Sequence, residues 1–136
     1  MFKKVIFISS LQIINALSGS MPQLGPNNLQ PAPIVSSATK ADGIITVTGR
    51  LVTLKRNATF IIQFFSNSIN RNPITEGDFY LGEITIVTDC NGIASFNAIL
   101  PPTQNNFPFL SATATYILED SSLADTSPYS LNIPIV

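Results

Sequence analysis

Apolar and polar residues alternate strictly in two runs of the chain beyond its first quarter. In one run, Phe96 and Ala98 fall on one side of an extended chain, and Ser95 and Asn97 fall on the other. A later run, residues 110–118, repeats the pattern with serine and threonine between apolar residues. A period of two marks a half-buried β-strand, and no window sustains the 3.6-residue period of a helix. The pattern therefore predicts an all-β domain built from antiparallel strands.

Turn residues divide the chain into seven short runs. The Asp42-Gly43 pair ends the first run, and the Asn91-Gly92 pair predicts a hairpin between the fourth and fifth, because both residues tolerate positive φ. The predicted strands cover residues 34–39, 44–52, 59–66, 79–88, 93–100, 109–118 and 129–136. Short strands at this regular spacing predict a single immunoglobulin-like antiparallel β-sandwich of about seven strands.

The third run, residues 60–65, is apolar on both sides, which predicts a strand packed on both faces. Gly77 and Gly82 are expected where a tight turn or a bulge needs a residue without Cβ. Large aromatic side chains are mostly buried, so four phenylalanines are assigned to the core. They are Phe64, Phe65, Phe79 and Phe96.

The N-terminal quarter follows a different pattern. Lys3 and Lys4 precede a short apolar run that ends in small residues, which predicts a signal peptide over residues 1–18. The run is too short and too polar for a transmembrane span. Four prolines follow it, so residues 19–33 are expected to form an extended linker. The sandwich domain then covers residues 34–136, and the expected location is secreted, periplasmic or at the cell surface.

Charge narrows the class of partner. Charged residues make up 11% of the chain, against about 25% in a typical globular protein. The seven basic residues form no stripe, and loss of Lys3 and Lys4 with the leader leaves five basic and eight acidic residues, a net charge of −3. Nucleic acid is therefore excluded as a partner, because its binding needs a basic surface.

The residue types also limit the chemistry. The chain holds no histidine and a single cysteine, Cys90. Ser-His-Asp and Cys-His sites and an internal disulfide are therefore excluded, and no Cys/His cluster has enough ligands for a metal. Asp89 and Asn91 belong to a fragment of a calcium-loop pattern that lacks its later ligands, so turn chemistry explains them. No cofactor is expected, and the protein is not expected to be an enzyme.

Glycoside hydrolysis needs a pair of carboxyl groups, one of them with a raised pKa. The carboxylates considered for such a pair are Glu76, Asp78, Glu83, Glu119 and Asp120. Nothing in the sequence places any of them in an apolar pocket, and solvated loops are the favoured interpretation.

A set of motifs in the domain follows a recognisable order. The motifs are Thr46-Val47-Thr48-Gly49-Arg50-Leu51, Ile62-Gln63-Phe64-Phe65-Ser66-Asn67, Glu76-Gly77-Asp78-Phe79-Tyr80-Leu81-Gly82, Ala94-Ser95-Phe96 and Ser111-Ala112-Thr113-Ala114-Thr115. Together they resemble a β-sandwich domain common in large bacterial surface and secreted proteins, where it often follows a right-handed parallel β-helix. The resemblance covers residues 25–133.

The resemblance implies a non-enzymatic surface module that acts as a spacer, a cap or an adhesion-type domain, and it transfers no functional residues. Family members often carry a cysteine pair, whereas this chain has Ser68-Ile69-Asn70 and Tyr129-Ser130-Leu131 in those regions. The β-helix has no counterpart in this sequence, so functions housed in it do not transfer.

The sequence leaves three functions open. A secreted binding or structural module would use its longest loop, whose charged residues Arg71, Glu76 and Asp78 are the candidate binding residues for a protein or glycan at the cell surface. Joint replacement of these three by alanine is expected to leave thermal stability nearly unchanged. The alternative is a subunit of a larger bacterial envelope complex that docks through an edge strand or the apolar tail Ile133–Val136. A carbohydrate-active fragment that uses Glu76 or Asp78 is the third.

Overall fold

The computed structural model describes residues 8–9, 12–13, 30–69 and 78–136, and this part of the chain contains ten β-strands and no helix. In chain order the strands are β1 (Ile8–Ser9), β2 (Gln12–Ile13), β3 (Ile34–Ala41), β4 (Ile44–Val52), β5 (Thr59–Asn67), β6 (Phe79–Val87), β7 (Ile93–Ile99), β8 (Phe109–Ile117), β9 (Leu123–Thr126) and β10 (Ile133–Pro134). The predicted all-β fold is confirmed.

Eight of these strands, β3 to β10, form two antiparallel sheets. The smaller sheet has the order β3–β4–β7, and the larger has the order β10–β8–β5–β6, with β9 also paired to β8. β1 and β2 form a separate antiparallel pair, with Ile8 opposite Ile13. The architecture is the predicted antiparallel sandwich, with about one strand more than expected.

The core lies between the two sheets and is filled mainly by alternate residues of the longer strands. Phe60, Ile62 and Phe64 of β5 are fully buried, and the ring of Phe64 meets that of Phe96 from β7 edge to face, with 5.9 Å between centroids. Full burial of a side chain of this size contributes about 1.5–3 kcal/mol. The other face of β5 is only half-buried, so the strand is not packed equally on both faces.

Two of the four phenylalanines assigned to the core lie elsewhere. Phe64 and Phe96 are buried as predicted, but Phe65 is half-buried on the outer face of the larger sheet, and Phe79 is 44% exposed at the start of β6. Successive side chains of a strand point to opposite faces, so burial of Phe64 places Phe65 outside. Gly82 has a φ of +149° where the pairing of β5 with β6 shifts register, which confirms its predicted position at a bulge.

Strand β8 is buried on both faces, whereas its sequence predicts one solvent-facing side. Ser111, Thr113 and Thr115 are each at most 5% exposed. The chain after β9 runs along β8, and the hydroxyl groups of Ser127 and Ser130 accept hydrogen bonds from backbone N–H groups of β8. A strand was expected over residues 129–136, but only Ile133–Pro134 (β10) forms one. Ser130, before β10, is held to β8 by its hydroxyl group.

The Asn91-Gly92 turn does not join a hairpin. β6 pairs with β5 in the larger sheet and β7 pairs with β4 in the smaller one, so the turn carries the chain from one sheet to the other. The Gly92 N–H donates to the Asp89 carbonyl over 3.0 Å, and Gly92 has a φ of +78°. Local turn chemistry was predicted correctly, but it does not decide which strands pair. A two-residue hairpin is found at Asp42-Gly43, where both φ angles are positive.

The C-terminal residues close one side of the sandwich. Ile133 lies opposite Leu110 of β8. Val136 donates its N–H to the Ala38 carbonyl over 3.0 Å and accepts the N–H of Lys40 over 2.8 Å. The tail thus links the larger sheet to β3 and is used within the chain.

The domain predicted from residue 34 onward begins with β3 at Ile34. Residues 1–33 lie outside the described part apart from residues 8–9, 12–13 and 30–33, so the signal peptide at 1–18 and the linker at 19–33 stay predictions. Within the described ranges there is no helix long and apolar enough to cross a membrane.

Candidate functional site

The loop predicted to carry recognition is closed at its base by Asp78. One carboxylate oxygen of Asp78 accepts the Ser68 N–H over 2.9 Å and the Ser68 hydroxyl over 3.0 Å. Arg71 and Glu76 lie outside the described residues. The Asp78 carboxylate therefore has a structural task, and its replacement by alanine is expected to lower stability, in contrast to the expectation from sequence.

A buried amide network lies directly beneath this loop base. Asn67 is 1% exposed and donates from Nδ2 to the Ser111 hydroxyl over 3.0 Å and to Oδ1 of Asn132 over 2.8 Å. Its Oδ1 accepts the Asp78 N–H over 3.1 Å, and Asn132 donates to the carbonyl of Ile69 over 3.2 Å. The network ties both ends of the loop to β8 and to the C-terminal segment.

Next to the loop base, the outer face of the larger sheet carries three aromatic rings from separate parts of the chain. The ring of Phe65 lies edge to face between the rings of Tyr80 and Tyr129, with centroids 5.8 Å and 5.2 Å away. Tyr80 is 49% exposed, while Phe65 and Tyr129 are half-buried. We call Phe65, Tyr80 and Tyr129, together with Gln63 and Glu83, the aromatic face.

The polar part of the aromatic face is organised around Glu83. Its Oε1 accepts hydrogen bonds from Nε2 of Gln63 over 3.1 Å and from the hydroxyl of Tyr80 over 2.9 Å. Gln63 and Glu83 are cross-strand partners on β5 and β6, so the sheet register places them side by side. The pKa of Tyr80 is raised above 10.0, first by partial desolvation and then by the Glu83 carboxylate, which holds the phenol proton and repels a phenolate.

The carboxylates of Asp89 and Asp120 lie in turns and are stabilised in their charged form. Asp89 accepts the N–H groups of Ile93 and Asn91, and Asp120 accepts the hydroxyl and the N–H of Ser122. These bonds hold the pKa of both aspartates below 3.8. A glycosidase acid needs the opposite shift, and the described residues include no group of three His, Cys, Asp or Glu side chains that could hold a metal ion.

The sequence contained part of the signal for the aromatic face. The alternation of β5 could have placed Phe65 and Gln63 together outside the core, since they are two residues apart. The contact of Tyr129 with Phe65 could not be predicted from the sequence, because it depends on how the chain after β9 returns along β8. Cys90 is exposed in the turn before β7 and is not one of the residues of the aromatic face.

Comparison with known proteins assigns no family to the chain. No protein-family model matches it, and no curated protein does. The residues of the loop base and the aromatic face are therefore the ones that bear on function.

Proposed function

We propose that the protein is a non-catalytic binding module of the immunoglobulin-like kind, which recognises a glycan through its aromatic face. The observation that carries this proposal is the half-exposed side chain of Tyr80, whose ring packs against Phe65 and whose hydroxyl donates to the Glu83 carboxylate. Exposed aromatic rings stack on the C–H faces of sugar rings, and neighbouring carboxylate and amide groups bind sugar hydroxyls. A ligand site typically combines apolar surface with a few fixed polar groups in this way.

The distribution of strands supports the immunoglobulin-like part of the proposal. In a constant-type immunoglobulin domain, the first, second and fifth strands share one sheet, and the third and sixth share the other. Strands β3, β4 and β7 occupy the first set here, and β5 and β8 the second. The fourth strand differs, because β6 extends the larger sheet instead of joining β7.

The proposal includes a secreted, periplasmic or cell-surface location, which rests on the leader predicted over residues 1–18. Fractionation of the source cells and the intact mass of the native protein test it. A cytoplasmic protein of full length would contradict this location.

The second candidate function, a subunit of an envelope assembly, is favoured by a free strand edge and not by the C-terminal tail. Both the N–H and the carbonyl of Val136 are bonded to β3, so the tail offers little backbone for a partner. Docking would instead use an edge of one of the sheets.

Binding of the full chain to a glycan array, followed by titration with the best ligand, tests the proposed function. Tyr80→Ala is expected to weaken binding about 10-fold or more, because a central aromatic contact typically carries more than 1.4 kcal/mol. Glu83→Gln is expected to weaken it less, since the amide keeps one hydrogen-bond acceptor.

Val87→Ala is the matched control. Val87 is 61% exposed on the same strand, at the end away from Tyr80. Unchanged circular dichroism would show that each variant folds. The proposal is wrong if no glycan binds, or if Tyr80→Ala and Val87→Ala bind equally well.

A further inference from the structure

The Glu83 carboxylate of the aromatic face is only half used within the described part of the chain. Its Oε1 accepts both local hydrogen bonds, from Nε2 of Gln63 over 3.1 Å and from the Tyr80 hydroxyl over 2.9 Å. Its Oε2 has no hydrogen-bond partner among the described residues, and the side chain is exposed on strand β6 at the edge of the larger sheet. A negatively charged acceptor is therefore open to a ligand.

The hydrogen-bond donors next to this oxygen already point at the carboxylate. Tyr80 has a single hydroxyl proton and gives it to Oε1 of Glu83, so the Tyr80 oxygen can only accept from a ligand. Gln63 directs its amide nitrogen to the same atom. The aromatic face thus offers a ligand more acceptors than donors. This arrangement favours an ammonium group, which carries three donors and no acceptor.

The positively charged side chains of the described residues belong to other parts of the fold. They are Lys40 and Arg50 on the smaller sheet, and Lys55 and Arg56 between β4 and β5. The ammonium of Lys55 lies over the ring of Tyr116, opposite Phe60 and roughly 17 Å along β5 from Phe65. The ammonium of Lys40 donates to a backbone carbonyl of the loop between β7 and β8 over 2.6 Å. The charge of Glu83 is therefore not neutralised within the described part of the chain.

The ring of Tyr80 adds a second attraction for a positively charged group. The face of an aromatic ring is negative and attracts a cation that lies over it within about 6 Å. Phe65 contacts this ring edge to face, with 5.8 Å between centroids, but Tyr80 remains 49% exposed. Because its hydroxyl is bonded to Glu83, the ring and the open oxygen lie close enough for one ammonium group to contact both.

We propose that the glycan recognised by the aromatic face is an amino sugar with a free amine. This inference rests on the glycan binding proposed above and assigns the chemical class of its ligand. The ammonium of the sugar bonds to Oε2 of Glu83 beside the Tyr80 ring, and the C–H face of the sugar stacks on the exposed aromatic surface. Glycans that carry carboxylate or sulfate groups are disfavoured, because a like charge beside Glu83 repels them.

Calorimetric titration of the full chain with three oligosaccharides of equal length tests the ligand class. The probes are a glucosamine tetramer, its fully N-acetylated form and a galacturonic acid tetramer, at a mildly acidic pH that keeps the free amines protonated. Acetylation removes the positive charge and keeps the sugar rings. We expect the free amine to bind about 5-fold more tightly than the acetylated form, because a hydrogen bond between charged groups is stronger than a neutral one. The galacturonic acid tetramer is expected to bind more weakly than both.

Glu83→Gln tests whether this carboxylate is the source of the preference. The amide keeps an oxygen acceptor but has no charge, so the variant is expected to bind the free and the acetylated tetramers nearly equally. Glu119→Gln is the matched control, because it removes the same charge from an exposed position after β8. Its preference for the free amine is expected to persist. If Glu119→Gln loses the preference as fully as Glu83→Gln does, net charge is the cause and the proposal is wrong.

Failure of this inference is distinguishable from failure of the proposed function. If the acetylated or the acidic tetramer binds at least as tightly as the free amine, and Tyr80→Ala weakens that binding, the aromatic face binds glycans but does not select an amino sugar. If none of the three tetramers and no member of the glycan array binds, both proposals are overturned.

Discussion

The ring of Phe96 on β7 occupies the space that a side chain of Gly49 would fill on the neighbouring strand β4. The two residues are direct cross-strand partners, and a Cβ atom added to Gly49 would lie 2.7 Å from Cζ of Phe96 and closer still to the carbonyl oxygen of Ile34. The φ of Gly49 lies outside the left-handed region, so close approach and not backbone conformation requires glycine here. One strand supplies the large residue, and the other supplies the room for it.

We therefore predict that Gly49→Ala lowers the free energy of unfolding by about 3 kcal/mol, the upper end of the usual cost of overpacking. The backbone oxygen of Ile34 cannot move without disturbing the pairing of β3 with β4. Urea denaturation followed by circular dichroism measures the change. Thr46→Ala, on the outer face of the same strand, is the control and is expected to cost far less. Equal stability of the two variants would mean that β3 shifts freely to admit a methyl group.

The sequence was sufficient for most strands, because the alternation that predicts a strand is the same alternation that buries it. Strands β4, β5 and β7 differ from their predicted bounds by one residue or none. It was insufficient where a segment depends on its neighbours: β9 was missed because its four residues show no alternation of their own. The burial of Ser111 and Thr113 comes from the segment that covers β8, which no pattern within β8 records.

The candidate site was predicted less well, for a related reason. Asp78 was correctly placed in the loop, but its bonds to Ser68 give it a structural role that composition does not reveal. The aromatic face joins residues from β5, β6 and the segment before β10, and only the sheet order brings them together. A charged loop is visible in a sequence, whereas a surface assembled across strands is not.

The buried network around Asn67 provides a second prediction. Asn67→Ala removes two donors and an acceptor and leaves the amide oxygen of Asn132 and the Asp78 N–H without these partners. We expect a loss of about 3 kcal/mol, because a buried polar group without its bond costs about 1–3 kcal/mol. Thermal and urea unfolding measure it. Gln104→Ala removes an exposed amide and is expected to change stability by less than about 0.5 kcal/mol.

The Glu83 carboxylate is predicted to contribute to the raised pKa of Tyr80, in addition to the larger effect of partial desolvation. Glu83→Gln keeps an oxygen that can accept the phenol hydrogen bond but removes the charge, so the pKa of Tyr80 should fall towards 10.0. Alkaline spectrophotometric titration measures it, and Tyr80→Phe identifies which part of the titration belongs to Tyr80 among the three tyrosines. Because the folded-state pKa is raised, the associated stability is present below pH 10 and is lost as the pH rises through the folded-state value. An unchanged titration in Glu83→Gln would mean that desolvation alone raises the pKa.

Asp89 and Asp120 are predicted to make stability depend on pH at the acidic end. Both have a pKa below 3.8 in the folded protein, so their contribution is complete above the unfolded-state pKa of about 3.9 and is lost as the pH falls through the lower folded-state values. The double variant Asp89→Asn/Asp120→Asn keeps oxygen acceptors in both turns but cannot titrate. Its urea midpoint should therefore decline less than that of the natural protein between pH 5 and about pH 2. Glu119→Gln removes an exposed carboxylate beside Asp120 and serves as the control. If the control flattens the pH dependence as much as the double variant does, the effect comes from total charge and not from the hydrogen bonds of the turns.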